Sequence, residues 1–204
     1  MPELDLGETK GVCEVAYDGE EGDRYRFPDG STWAIQEARS TWSTGFKGVV
    51  VAPEEDRDIT VLAFAGTDSL LDVGVDIVQI AGGLPPQYSQ ALIWARIVSA
   101  STRSNLVLAG HSLGGALAAY CSVSLRCPAC TINPATLVGG ISIASLRSNP
   151  HITNYIAANE FVSSAPGRNP GTDVVVPSAG GNLSFFTDHS LSAIGPSIPL
   201  PVKL

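Results

Sequence analysis

A sharp turn between an apolar strand and an amphipathic helix is the feature that most limits how this chain can fold. Residues 106–109 (LVLA) form a short apolar run, and the residues that follow, Gly110 to Gly114 (GHSLG), fit the pattern Gly-x-Ser-x-Gly. Directly afterwards, apolar residues recur at helical spacing from Leu113 to Cys121, which predicts a helix with one core-facing side. A strand, a tight turn and a helix in this order are typical of a parallel α/β sheet.

The pattern along the rest of the chain fits the same class of fold. Two β-branched runs, 46–52 and 59–64, flank a polar turn and predict a hairpin with a buried second strand. A helical pattern begins at Pro86 and ends before the polar residues 101–105. Three more segments are expected to be strands: 131–133, 152–157 and 173–176. Because no linker or internal repeat is visible, we expect residues 1–204 to form a single domain.

Composition and charge exclude several classes of protein. Hydrophobic residues make up 44% of the chain and charged residues 16%, which suits a globular protein. The net charge is −8 and no block of Lys or Arg occurs, so nucleic acid is not an expected partner. The sequence shows neither a secretory signal nor an apolar stretch long enough to span a bilayer, so we expect a soluble chain. If it is exported, a larger protein or a dedicated secretion system would have to carry it.

The residues of the tight turn suggest nucleophilic chemistry. A serine at such a bend projects its hydroxyl over the edge of the sheet, and side chains two residues before and after it would collide. Gly110 and Gly114 remove that collision, so we expect Ser112 to be a nucleophile. The amide of Leu113 begins the helix and would point toward a negatively charged oxygen. The competing interpretation is a glycine-rich helix start with a buried serine.

A serine nucleophile needs a general base, and the chain offers three histidines. His111 adjoins the serine and points elsewhere, so packing or a local hydrogen bond is its expected role. His151 precedes a predicted strand and is expected at the surface. His189 follows all the predicted strands, which agrees with the order serine, acid, histidine of α/β-hydrolases. We therefore expect His189 to be the base.

The acid that orients the histidine has three candidates. It should follow a strand that comes after the nucleophile helix. Glu160 satisfies that order and is the preferred candidate. Asp173 opens a later predicted strand and is the second choice, whereas Asp188 is the third, because neighbours in sequence rarely orient each other.

Three segments of the chain resemble a known family. They are VLAFAGTDS, LVLAGHSLGGALAAY and TINPATL, and together they resemble the class 3 (fungal-type) lipase family over roughly residues 45–190. The resemblance implies an α/β-hydrolase fold with a mostly parallel sheet, and hydrolysis of lipid or small acyl esters without a metal or organic cofactor. It also implies that Thr67 donates to the oxyanion. Ala65 stands where the family usually has Arg, and Glu160 stands where the family has Asp.

Other functions remain open at this stage. A thioesterase or a peptidase could use the same scaffold, and the altered Ala65 and Glu160 positions are compatible with an inactive binding module. A compact toxin module from a larger exported bacterial protein would imply an inhibitory (immunity) protein as partner. Residues 70–80 stand where similar lipases have a lid, so they could contact a membrane interface; a buried helix is the alternative. The resemblance implies that Asp76 anchors this segment and takes no part in the chemistry.

Four cysteines complete the list of chemically notable residues. They are Cys13, Cys121, Cys127 and Cys130, and the last two are spaced Cys-x-x-Cys. A zinc site would need a second pair at similar spacing, and a redox motif would open a helix. Because neither context is present, we expect free thiols or one structural disulfide.

Overall fold

A nine-stranded mixed sheet forms the centre of the protein in the computed structural model. The structure describes residues 3–55, 57–66, 85–136, 151–158, 169–178 and 190–204. The helices within these ranges are α1 (Leu6–Asp18), α2 (Pro86–Ser101) and α3 (Leu113–Leu125), with a 3₁₀ turn at Leu191–Ala193. The strands are β1 (Arg24–Arg26), β2 (Thr32–Thr41), β3 (Phe46–Pro53), β4 (Ile59–Phe64), β5 (Asn105–His111), β6 (Ala129–Ile132), β7 (Ile152–Ala157), β8 (Thr172–Val176) and β9 (Val202–Lys203).

The sheet has a parallel half and an antiparallel half. Its strand order is β8-β7-β6-β5-β4-β3-β2-β1-β9. Strands β4 to β8 are parallel to one another, whereas β1 to β4 form antiparallel pairs and β9 pairs antiparallel with β1. The predicted hairpin of β3 and β4 is confirmed, as are the predicted helix after Pro86 and the strand, turn and helix around Ser112. The carboxyl ends of the five parallel strands therefore share one edge of the sheet.

Both faces of the central strands are buried, which explains their continuous apolar sequences. Val61 and Ala63 of β4 pack on the side of α1, whereas Leu62 and Phe64 pack on the side of α2 and α3. The neighbouring β5 alternates in the same way. The helices thus form a layer on each side of the sheet, and the turn at Ser112 emerges between these layers.

Candidate active site

Ser112 occupies a strained backbone position between β5 and α3. Its φ is 57° and its ψ is −124°, a conformation that residues other than glycine rarely adopt and that costs about 1–3 kcal/mol. Three backbone hydrogen bonds hold the turn: the Ser112 amide donates to the carbonyl of Ile132 (3.1 Å), and its own carbonyl accepts from Ala116 (3.2 Å) and Ala135 (2.9 Å). The surrounding strands and helix therefore impose the bend that the Gly-x-Ser-x-Gly pattern predicts.

The two glycines of the pattern allow three elements to meet at this turn. A β-carbon on Gly114 would overlap the carbonyl oxygen of Phe64, at the end of β4. One on Gly110 would overlap the backbone of Gly114. The predicted steric role of both glycines is thus confirmed, and the close contact brings the end of β4 against the first turn of α3. Gly115 likewise permits close packing, because its β-carbon would lie 2.8 Å from that of Pro134.

The loop after β4 lies directly beside Ser112. A β-carbon on Gly66 would be 2.9 Å from the carbonyl oxygen of His111 and 3.0 Å from Cβ of Ser112. Thr67, the predicted oxyanion donor, is the next residue in the chain and lies outside the described residues. Leu113, the other predicted donor, is the first residue of α3, and within the described part of the chain no carbonyl accepts its amide hydrogen. One amide at a helix N-terminus and one loop therefore flank the serine.

The Ser112 side chain lies in a buried position. Only 1% of the residue is exposed, and among the described residues Oγ has no hydrogen-bond partner. A buried hydroxyl without a partner is unfavourable unless another group completes the site. Ser112 is thus a buried polar group that the described residues leave unsatisfied.

A tyrosine that the sequence did not reveal contacts this turn. The hydroxyl oxygen of Tyr17, on α1, lies 2.7 Å from Nδ1 of His111. The same hydroxyl would be 2.7 Å from a β-carbon on Gly66, so it lies next to the loop that leads to Thr67. His111 is buried, and its predicted role in a local hydrogen bond is confirmed. His151 is half-buried and directly precedes β7. It therefore lies at the amino ends of the parallel strands, whereas Ser112 lies at their carboxyl ends.

A buried hydrogen-bond chain crosses the parallel strands next to the site. Thr131 donates to Oδ1 of Asn154 (2.7 Å), and Nδ2 of Asn154 donates to Oδ1 of Asp173 (2.9 Å). The side chain of Asn133, which follows β6 at a φ of 39°, accepts the amide of Ala157 at 2.9 Å. These contacts fix the ends of β6 and β7 near the serine.

Asp173, the second candidate for the acid, lies far from the nucleophile. Asp173 is an exposed residue of β8, and the pairing of the parallel strands aligns it with Gly110 of β5. Three strand spacings separate β8 from β5. At about 4.8 Å per strand this is roughly 14 Å. Its carboxylate already binds Asn154, which gives it a role in joining the strands.

The other predicted catalytic residues lie outside the described residues. Glu160 comes three residues after the end of β7, and that strand ends at the edge of the sheet where Ser112 lies. His189 and Asp188 directly precede Ser190, where the description resumes. Residues 70–80, the expected lid or helix, and Asp76 also lie outside it.

The ends of the segment that contains His189 are held together. Ser178, two residues after β8, forms an isolated antiparallel bridge with Ile194, and the amide of Gly195 donates to the carbonyl of Pro177 at 2.9 Å. Because β8 is parallel to β5, the segment between these residues starts from the edge where Ser112 lies and returns to it. This geometry is compatible with a base supplied by His189.

A buried lysine fastens the residues after His189 to the first helix. Lys10 is 2% exposed, and Nζ donates to the carbonyls of Ile194 (2.8 Å), Gly195 (3.4 Å) and Ile198 (2.7 Å). Burial lowers the pKa of this ammonium, and the Glu14 carboxylate opposes part of that change. Lys10 therefore fixes the C-terminal turn against α1.

All four cysteines are free thiols. Cys130 packs in the core on the α1 side of the sheet, whereas Cys127 contacts the core on the other side. Burial raises the pKa of both thiols to about 11. Of the two sequence expectations, free thiols are confirmed.

None of the helices in the described ranges is long and apolar enough to cross a membrane.

Comparisons with known proteins agree with this architecture. A triacylglycerol lipase from Penicillium expansum is 16% identical, with a TM-score of 0.61 over 98% of this chain and 82% of that one. The Rhizomucor miehei lipase in its propeptide complex is 15% identical, with a TM-score of 0.61 over 82% of this chain and 64% of that one. These likenesses show the α/β-hydrolase fold and confirm the predicted resemblance to fungal lipases at the level of fold.

Sequence comparison identifies the family. The extracellular phospholipase A1 of Serratia liquefaciens is 29% identical over 140 residues, which are 66% of this chain and 44% of that protein. This chain thus matches less than half the length of that relative. The family model of the Tle-like phospholipase domain matches residues 29–160, which include the Ser112 turn and most of the sheet. The chain therefore belongs to the Tle-like phospholipase domain family.

Proposed function

We propose that this protein hydrolyses carboxylic acyl esters of phospholipids, with Ser112 as the nucleophile. The observation that carries the proposal is the strained turn at Ser112, where the loop at Gly66 and the N-terminus of α3 meet the serine. A strained residue of this kind persists only where neighbouring elements impose it, and such positions concentrate at active sites. Family membership and the phospholipase A1 relative support the choice of a phospholipid ester.

The reaction follows the serine-hydrolase sequence. His189 takes the proton of the Ser112 hydroxyl while Oγ attacks the ester carbonyl. The Leu113 and Thr67 amides stabilise the resulting oxyanion, and Glu160 holds the imidazole in the required orientation. The tetrahedral intermediate collapses, the C–O bond breaks, and His189 gives its proton to the departing lysophospholipid alcohol. Water, deprotonated by His189, then attacks the acyl-enzyme; the bond between the acyl carbon and Oγ of Ser112 breaks, His189 returns the proton to Oγ, and a fatty acid leaves.

Replacement of Ser112 tests this function directly. Ser112→Ala should lower turnover by on the order of a million-fold, since loss of the nucleophile has that effect in subtilisin. Ser124→Ala is the matched control, because Ser124 is exposed near the C-terminal end of α3, where its hydroxyl donates to the carbonyl of Tyr120 in the same helix. Both variants and the wild type would be assayed on phospholipids and p-nitrophenyl esters, with a fluorophosphonate probe to label an activated serine. Activity retained in Ser112→Ala would refute the mechanism, whereas a wild type that is neither labelled nor active would indicate an inactive binding module.

We also propose that the protein is exported from the cell that makes it. The relative from Serratia is described as extracellular, which supports export of this protein, through a larger protein or a dedicated secretion system. A phospholipase released by its producer endangers the membranes of that cell, so an inhibitory (immunity) protein is the expected partner. Contact with the membrane interface is expected as well. Expression of active enzyme in Escherichia coli, compared with Ser112→Ala, would show whether the activity is toxic without such an inhibitor.

A further inference from the structure

Trp42 is exposed to an extent that is unusual for its size and apolar character. It lies in the turn between β2 and β3 with 98% of its surface exposed. The other two tryptophans, Trp33 and Trp94, are buried in the two cores. Full exposure of an indole leaves a large apolar surface in water, and such surfaces often mark an interaction site.

Sheet register places this turn at the same edge as the proposed nucleophile. Gly48 of β3 pairs with Phe64 of β4, which in turn pairs with Gly110 of β5. Phe46 and Ser112 both come two residues beyond that level, and the turn of residues 42–45, here called the hairpin tip, extends further in the same direction. Two strand spacings, about 10 Å, separate β3 from β5. The hairpin tip therefore extends past the level of Ser112 at the same edge of the sheet.

The hairpin tip is held rigidly by helix α2. Nε2 of Gln87 donates to the carbonyl of Thr44 (2.6 Å), and the Thr44 hydroxyl donates to Oε1 of Gln90 (2.9 Å). Below the tip, the rings of Phe46 and Trp94 pack edge to face at a centroid distance of 6.1 Å. Because these contacts already fix the backbone, binding through Trp42 would lose little conformational entropy.

The hairpin tip is uncharged, which suits contact with a phospholipid surface. The chain carries a net charge of −8, yet residues 40–46 contain no charged residue, and Arg39 just before them is paired with Glu37 at 2.6 Å. The hairpin tip can therefore approach lipid phosphates without the repulsion that the rest of the surface would meet. Indole rings favour the membrane–water interface, where the ring is partly shielded and N–H remains hydrogen-bonded.

We propose that Trp42 inserts into the headgroup region of a phospholipid surface and thereby positions Ser112 over its ester substrate. The inference rests on the proposed function and adds a docking residue to it. Trp42 itself takes no part in the bond-forming steps. Contact with the lipid through the hairpin tip brings the edge of the sheet that carries Ser112 toward the bilayer.

Fluorescence in the inactive Ser112→Ala background tests the binding directly, since vesicles then remain intact. With phosphatidylcholine vesicles, we expect the emission of Trp42 to shift to shorter wavelength and to be quenched by brominated lipid. The signal should disappear in Ser112→Ala/Trp42→Phe, because Trp33 and Trp94 are buried. In Ser112→Ala/Trp42→Ala, vesicle binding measured by sedimentation should weaken about tenfold, on the scale of burying roughly half of a large apolar side chain. Val175→Ala in the same background, an exposed apolar residue of the distant β8, should bind vesicles like Ser112→Ala.

Activity measurements separate this inference from the proposed function. Trp42→Ala should hydrolyse phosphatidylcholine vesicles about tenfold more slowly than wild type and a soluble short-chain ester at an unchanged rate. The docking role would be overturned if Ser112→Ala bound vesicles equally well with and without Trp42→Ala, or if the emission did not shift. It would also be overturned if the hairpin tip bound a protein but not vesicles. An inactive wild type that still binds vesicles through Trp42 would refute the enzymatic function and leave the docking surface in place.

Discussion

The hydroxyl of Tyr17 and Nδ1 of His111 lie 2.7 Å apart, and their hydrogen bond joins the first helix to the turn that carries Ser112. A β-carbon on Gly66, at the start of the predicted oxyanion loop, would lie 2.7 Å from the same hydroxyl oxygen. A single side chain of α1 is therefore in contact with both parts of the proposed site. We therefore expect Tyr17 to position the nucleophile turn relative to this loop.

Tyr17→Phe should lower kcat more than it changes KM. Loss of the hydroxyl removes its hydrogen bond with Nδ1 of His111, which costs about 0.5–1.5 kcal/mol of stability. A small shift of the turn relative to the oxyanion loop would lower kcat by roughly 10–100-fold. Steady-state kinetics on a soluble ester provide the measurement. Tyr25→Phe, on β1 and distant from the site, is the control, and equal kcat values for both variants would rule out the positioning role.

Gly114→Ala should destabilise the protein and abolish activity together. The new β-carbon would overlap the carbonyl of Phe64, so β4 and α3 must move apart. Overpacking of this kind costs about 1–3 kcal/mol, and more where backbone atoms collide. Gly7→Ala in α1 is a matched control, because the nearest atoms to its β-carbon would belong to side chains, Asp5 Oδ1 at 3.3 Å and Ile198 Cγ2 at 3.6 Å. A Gly114→Ala protein with wild-type melting temperature and activity would contradict the proposed close contact.

The acid can be identified by two conservative substitutions. Glu160→Gln should lower kcat by roughly ten thousand-fold, the scale seen when a triad acid is made an amide. Asp173→Asn should leave kcat close to wild type, since its side chain is exposed on β8 and bonded to Asn154. Single-turnover assays on an activated ester would measure both. The reverse result would assign the acid to Asp173.

Glu14→Gln should stabilise the protein at neutral pH. Burial raises the pKa of Glu14, the Asp18 carboxylate raises it further, and Lys10 opposes both. Because the folded state binds this proton more tightly than the unfolded state, ionised Glu14 lowers stability above its folded pKa. The variant should gain about 0.2–0.5 kcal/mol at pH 7, the size of a like-charge pair one helical turn apart.

The gain from Glu14→Gln should vanish as the pH falls below about 4, where the carboxyl is protonated in both states. Urea unfolding at pH 7 and pH 4 provides the comparison. Glu21→Gln, in the exposed turn after α1, serves as the control. An equal gain at both pH values would show that the carboxylate charge is not the cause.

Local sequence patterns predicted the parallel half of the sheet and the Ser112 turn, because these features depend on neighbouring residues. Helix α1 was not predicted, although Asp5 and Glu8 form a capping box, since two glycines and the buried Lys10 interrupt its apolar side. Strand β2 was also missed, because a register shift between Ile35 and Glu37 breaks the alternation of a strand.

The contacts that complete the site come from residues distant in sequence. Tyr17 and His111 are 94 residues apart, so no local pattern could pair them. Likewise, the exposure of Trp42 beside the site depends on the order and register of three strands. Spacing alone could not distinguish the two candidate acids, because Glu160 follows one predicted strand after the nucleophile helix and Asp173 opens another. The distance of Asp173 from β5 is set only when the sheet is assembled.

The hydrogen bond from Lys10 to Ile194 joins residues 184 positions apart, and this separation governs how the chain matures during translation. Ribosomes add about 5–20 residues per second, so α1 is made roughly 10–40 s before its carbonyl acceptors exist. Until residues 194–198 are made, Nζ of Lys10 lacks the three carbonyls that bind it in the folded protein. Burial of the Lys10 ammonium in its native position therefore has to wait for a segment made long after α1.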